Sequence, residues 1–108
     1  MRVIVVEPGK PAYSKDIPGK LEVLQSEVGG YIETLCRTRD GTVIICNEEG
    51  KIHGLKPNVI LYDGDNRPYD VLCGTFLVAG LGEEDFCDLT PEQESKYLEV
   101  FSNPNRIG

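Results

Sequence analysis

Two short stretches hold most of the side chains whose types and spacing could do chemistry. The first runs from Asn47 through Glu48, Glu49, Gly50, Lys51, His53 and Gly54 to Asn58. It gathers amides, carboxylates, two lysines and the single histidine around two glycines, between apolar runs. Groups that donate and accept hydrogen bonds, beside glycines that let a ligand come close to the backbone, suit a binding pocket. The plainer reading is a turn whose charges are solvated. The second stretch is Gly29–Gly30–Tyr31–Ile32–Glu33. The two-residue period of a strand puts Tyr31 and Glu33 on one side. A small ligand would stack on Tyr31 and hydrogen-bond Glu33, with the backbone N–H groups of the glycine pair behind it. The plainer reading here is a half-exposed cross-strand pair.

Patterns of enzymatic chemistry are not found. His53 is the one residue that could activate a cysteine, with Cys46 or Cys36 as nucleophile, and no local motif joins them. Ser14, Ser26, Ser95 and Ser102 lack a nucleophile elbow. Asp63-x-Asp65 has neither the spacing nor the bidentate glutamate of a calcium loop. Gly80-x-Gly82 lacks the rest of a dinucleotide fingerprint, and there is no phosphate-binding P-loop. Catalysis, a metal and a cofactor are therefore not expected, although Glu48 or Glu49 with His53 would form an acid–base pair in a small hydrolase or transferase.

The elements that must position these residues are legible from periodicity. Arg2–Val6 is a strand apolar on both faces, hence central, and Glu7–Pro8–Gly9 ends it. Residues 8–19 are a loop with a short extended piece at Ala12–Ile17. Lys20–Val28 carries Leu21, Leu24 and Val28 on one helical stripe. Gly29–Gly30 closes that helix, one of them in the left-handed conformation. Tyr31–Cys36 and Thr42–Asn47 form a hairpin around Arg39–Asp40–Gly41. Ile52–Leu55 alternates like a short strand closed by Lys56–Pro57–Asn58, and Val59–Tyr62 is another extended piece. Asp63–Asn66 is a loop, Tyr69–Cys73 and Thr75–Ala79 are strands divided by Gly74, and Phe86–Leu89 is short. Thr90–Pro91–Glu92–Gln93 starts a helix with a capping box, reaching Phe101 with Tyr97, Leu98 and Phe101 inward. The sum is an α+β fold: one domain over residues 1–101, a mostly antiparallel sheet of five or six strands, a helix after the first strand and a C-terminal helix. Residues 102–108 read as a tail.

Composition bounds the rest. The chain has 108 residues, net charge −7, 40% apolar residues and no tryptophan. That is one ordinary globular core, neither a disordered segment nor a fibrous repeat. No apolar run approaches the roughly 20 residues of a membrane-spanning helix, and MRVIVVEPGKP lacks the features of a signal peptide. A cytoplasmic protein is expected. Four cysteines at 36, 46, 73 and 87 form no C-x-x-C pair; Cys36, Cys46 and Cys73 read as small buried apolar groups in a reducing compartment. Charge is concentrated: residues 83–99 carry seven acids and one base. This disfavours direct nucleic-acid binding. It permits an acidic face, led by Glu83, Glu84, Asp85 and Asp88, that attracts a basic protein. A merely solvated helix face is the alternative.

Taken in order, VIVVEPGK (3–10), LEVLQSEVGGYIE (21–33), VIICNEEGKIHGLKPN (43–58), GTFLVAG (74–80) and DFCDLTPEQESKYLEVF (85–101) resemble a family of small uncharacterised proteins. These are carried by phages and other mobile elements of Gram-positive bacteria and are known only as a domain of unknown function. The resemblance spans nearly the whole chain and implies no catalytic residues. Its strongest stretches include both pocket-like ones. The context it implies is interference with host defence inside a bacterium.

Three functional expectations result. The first is a non-enzymatic binding protein, forming a small homo-oligomer. It would hold a small polar or nucleotide-like ligand through Tyr31, Glu33, Asn47, Glu48, Lys51 and Asn58, with Lys51, Lys56 and backbone N–H groups available to a phosphate. The second is an acidic module that binds a host protein or imitates nucleic-acid charge through residues 83–99. The small hydrolase or transferase is the third.

Overall fold

In the computed structural model, residues 1–107 are described, except for the side chains of Cys36 and Arg37. The elements follow the order β1 (Arg2–Val6), β2 (Tyr13–Asp16), α1 (Leu21–Val28), β3 (Ile32–Arg37), β4 (Thr42–Asn47), β5 (Pro57–Tyr62), β6 (Pro68–Cys73), β7 (Phe76–Leu81), β8 (Phe86–Cys87) and α2 (Pro91–Val100). A six-stranded sheet has the order β2-β1-β7-β4-β3, with β8 pairing the end of β7. β5 and β6 form a separate hairpin. The strand pairings are antiparallel. The expected α+β class holds, with one helix near the N-terminus and one C-terminal; α1 follows β2, the extended piece expected at Ala12–Ile17, rather than the first strand directly.

The doubly apolar pattern of Val3–Ile4–Val5–Val6 has a direct cause. The sheet is covered on both faces, and alternate residues enter different cores. Ile4 and Val6 join Ile44, Cys46, Phe76 and Val78, covered by Tyr97 of α2, Leu89, and Val59 and Leu72 of the hairpin. Val3 and Val5 join Val43, Ile45, Leu77 and Ala79, covered by Leu24 and Val28 of α1. The registers Ile4↔Val78 and Ile44↔Val78 keep each set on its own side.

Thr90 caps α2: its hydroxyl accepts from Gln93 N–H at 3.2 Å, and the Gln93 amide oxygen accepts from Thr90 N–H at 2.9 Å. α2 is then tied to the β3–β4 turn. Asp40 accepts from Lys96 Nζ at 2.7 Å and Tyr97 OH at 2.8 Å, and also from Thr38 and Thr42. Burial pushes the Asp40 carboxyl up. The hydrogen bonds from Lys96, Thr38, Thr42 and Tyr97 outweigh that and hold it far below the usual carboxylate range.

Four expectations need revision. Leu21 is more than half exposed, so the inward face of α1 is Leu24 and Val28, with Val23 packed at its margin. Ile52–Leu55 is a coiled turn, because its amides bond back within the segment: His53 N–H to Glu49 O at 2.9 Å, Gly54 N–H to Lys51 O at 3.1 Å and Leu55 N–H to Gly50 O at 3.0 Å. Pro57 and Asn58 open β5 rather than close a preceding strand. The segment after α2 is anchored: Arg106 donates to the Asn58 side chain and to four backbone carbonyls. Of the cysteines, Cys46 is buried and Cys73 partly buried. The expected burial of Cys36 and the last residue of the tail, Gly108, lie outside the described residues.

Candidate functional site

α1 ends where the sequence places its stop. Gly29 is left-handed at φ 80°, and its N–H donates to Gln25 O at 2.8 Å. The chain then enters β3 through Gly30 and Tyr31. Alongside, the last residue of β4 turns in. Asn47 is buried; its Nδ2 donates to Val28 O, an orphan carbonyl at the end of α1, at 3.2 Å, and its Oδ1 accepts from Glu49 N–H at 2.8 Å. Gly30 must be glycine-sized, since a Cβ there would lie 2.7 Å from Asn47 Nδ2. Glu48 N–H donates to Tyr31 O at 2.8 Å, which carries the β3–β4 ladder up to the tyrosine. Asn47 therefore locks three things together: the end of α1, the start of β3 and the turn at residues 48–54.

That lock shapes a pocket of about 240 Å³ lined by Gln25, Gly30, Tyr31, Asn47, Glu49 and His53. Tyr31 is 70% exposed and forms an aromatic wall. The turn is helix-like, so Glu49 and His53 are neighbours four residues apart, with His53 Nε2 3.0 Å from Glu49 Oε2. A second pocket of about 230 Å³ adjoins it, sharing Asn47 and Glu49 and lined further by Glu33, Glu48, Lys51, Cys46, Asp70 and Cys73. There Lys51 is paired with Asp70. The hydrogen bond to Asp70 raises the lysine's pKa, and the same bond lowers that of the carboxyl. The Cys46 thiol is pushed up to about 12 by burial and by the nearby charge of Glu33. A thiol held neutral in this way is no nucleophile at neutral pH.

Five of the six residues singled out for ligand binding thus come together, but across two hollows. Tyr31 faces one; Glu33, Glu48 and Lys51 line the other; Asn47 belongs to both, with its amide already engaged in structure. Asn58 is placed elsewhere. It is 1% exposed; its Nδ2 donates to Val6 O at 2.9 Å and Gly74 O at 2.8 Å, and its Oδ1 accepts from Arg106. Lys56 lines a different hollow from Lys51, so the two do not converge on a phosphate. In the Tyr31 pocket, Gln25 is the polar lining residue that the sequence did not single out, as is Asp70 in the adjoining one. The signal for Gln25 was positional, since the last turn of a helix before a glycine stop faces whatever follows the stop.

The acidic segment is dispersed. Glu94 accepts from Arg2 at 2.9 Å and Ser14 at 2.6 Å; Asp88 accepts from Arg2 N–H at 2.7 Å. Glu83, Glu84 and Asp85 are exposed around the β7–β8 turn, where the Asp85 carboxylate accepts from Phe86 N–H at 2.7 Å. Another hollow, about 430 Å³, lies between Met1, the start of α1 and residues 85–88. Its lining is Met1, Gly19, Leu21 and Leu24 against Asp85, Phe86, Cys87 and Asp88. Among the described residues no cluster of His, Cys, Asp and Glu could hold a metal. Nor, among them, is any helix long and apolar enough to cross a membrane.

Comparison with known families places this chain. Residues 1–102 match the family described as Domain of unknown function (DUF3846). The chain belongs to that family. No curated protein and no solved structure matches it. The DUF3846 match includes every residue of both pockets and stops short of Arg106, so the anchored C-terminal segment lies beyond it.

Proposed function

We propose that this DUF3846 protein is a non-enzymatic binding module that holds a small polar ligand with a planar ring in the pocket walled by Tyr31. The observation that carries the reading is an exposed tyrosine that lines one pocket with a Glu49–His53 pair. Exposed aromatic area beside a few fixed polar groups is what small-ligand sites use, the ring for contact and the polar groups for orientation. The pocket is smaller than the roughly 300–1,000 Å³ that encloses a drug-sized molecule, which favours a compact ligand. The resemblance to proteins of phages and mobile elements makes capture of a host defence signal, in the cytoplasm of a bacterium and by a small homo-oligomer, the physiological form of the reading.

The acidic module is the weaker reading. Asp88 and Glu94 are engaged within the chain, which leaves less free charge for a basic partner. A hydrolase is weaker still, since among the described residues lining the His53 pocket there is no serine, threonine or cysteine, and Cys46 is held neutral.

Native mass spectrometry of protein purified gently from a cell extract tests the proposal. A discrete extra mass on the wild type that is absent from Tyr31→Ala supports it. A mass retained equally by both, or a bare wild-type chain, contradicts it.

A further inference from the structure

The hydrogen-bonding character of the Tyr31 pocket restricts what it can take. Besides Asn47, whose amide is engaged in structure, four side chains offer polar atoms to a ligand: Glu49, His53, Gln25 and Tyr31. An ionised carboxylate only accepts. His53 Nε2 lies 3.0 Å from Glu49 Oε2, and a neutral imidazole with its proton on that nitrogen leaves Nδ1 as an acceptor. The Gln25 amide can do either. The Tyr31 hydroxyl can do so too, so two of the four call for donors on the ligand. The charge agrees: Glu48 and Glu33 stand in the adjoining pocket, and its lysine, Lys51, is already paired with Asp70. Among the described lining residues of the Tyr31 pocket there is no lysine or arginine. A phosphate would meet carboxylates with only His53, already 3.0 Å from Glu49, to offset them.

Resting on the binding reading above, we infer that the ligand is a phosphate-free nucleobase or nucleoside bearing an exocyclic amino group. Its ring lies on Tyr31. Its amino edge donates to Glu49 and to His53 Nδ1, the pairing by which carboxylates read the amino group of cytosine. This narrows the expectation of a nucleotide-like ligand: the pocket selects the base and rejects the charge.

Isothermal titration calorimetry of the full chain with adenosine, inosine and AMP tests the inference. Adenosine binds; inosine, which exchanges the amino donor for a carbonyl acceptor, binds on the order of tenfold more weakly. AMP also binds on the order of tenfold more weakly than adenosine at low salt, and its deficit shrinks as salt is added. Glu49→Gln, at a half-exposed position that leaves the fold intact, narrows the gap between AMP and adenosine. AMP binding as tightly as adenosine, or inosine doing so, overturns the ligand class and leaves the pocket reading standing. If none of the three binds, the class is overturned as well, and the pocket reading is then decided by the mass retained in the native spectrum.

Discussion

Arg106→Ala should destabilise the protein far more than a surface substitution four residues past the family match. The guanidinium donates twice to Asn58 Oδ1, at 2.8 and 3.2 Å. It also donates to the carbonyls of Glu7 at 2.7 Å, Lys10 and Asn103 at 2.8 Å, and Phe101 at 3.3 Å. Its acceptors among the described residues are all neutral, and burial lowers its pKa from the ordinary arginine value. Removing the side chain strands Asn58 Oδ1 in a site that is 1% exposed. Hydrogen bonds to a charged group contribute about 1.5–3 kcal/mol each at most. The carbonyls of Lys10 and Asn103 regain water once the arginine is gone, so the net loss comes to about 2 kcal/mol, or roughly 10 °C in Tm for a domain of this size. Urea unfolding followed by circular dichroism measures it. Arg106→Lys keeps the charge but not the fork, and should recover less than half of the loss. In an Asn58→Ala background the cost of Arg106→Ala should shrink by about 1 kcal/mol, because the two side chains share one interaction. An Arg106→Ala protein within about 0.5 kcal/mol of wild type, the range of ordinary surface changes, would refute the reasoning.

Other expectations follow from the same geometry. Asp40 is held below its ordinary pKa in the folded state, so it contributes stability above the unfolded value near 4 that is lost as the pH falls further; Asp40→Asn should flatten the decline of the urea midpoint between about pH 5 and pH 2, and an unchanged acid limb would contradict the clasp on α2. Gly30→Ala sets a Cβ against Asn47 Nδ2 and should cost about 1–3 kcal/mol in chemical denaturation; an unaltered midpoint would show that Asn47 is free to move. A thiol reagent at pH 8 should modify exposed Cys87 in the native protein and reach Cys46 only on unfolding, by peptide mass mapping; equal rates would mean that the second pocket is open to the core. Tyr31→Ala should leave the denaturation midpoint within about 0.5 kcal/mol of wild type, given its exposure, and a larger loss would make Tyr31 a packing residue.

What was legible in the sequence is what local physics dictates. A strand apolar at every position announces a sheet covered on both faces, and Val3–Val6 is that strand. Thr90 and Gln93 announce a capping box, and Gly29 a left-handed helix stop; both formed as read. Misreadings fell where a residue's role is set by distant partners. Asn58, beside a proline and a run of polar residues, resembles a ligand group, yet its partners are Val6, Gly74 and Arg106, from 16 to 52 positions away. Arg106 sits in a stretch of Asn, Pro and Gly with no periodicity, and only the chain's return past residues 7–10 gives it acceptors. Ile52–Leu55 is too short for alternation to distinguish a strand from a turn, and the hydrogen bonds of Gly50, Lys51 and Glu49 decided for the turn. In the candidate site the residue types were right and the partition was not. Tyr31 and Glu33, two apart and expected on one side, line different hollows because Tyr31 precedes β3 and follows the glycine pair instead of the pleat.

The most direct test of the binding account is the amide spectrum of the isotope-labelled protein before and after the small-molecule fraction of a bacterial extract is added. The account predicts resonance changes confined to Gln25, Gly30, Tyr31 and the turn from Asn47 to His53, and their absence in Tyr31→Ala. An unchanged spectrum, or changes gathered at Glu83–Asp88, would contradict it.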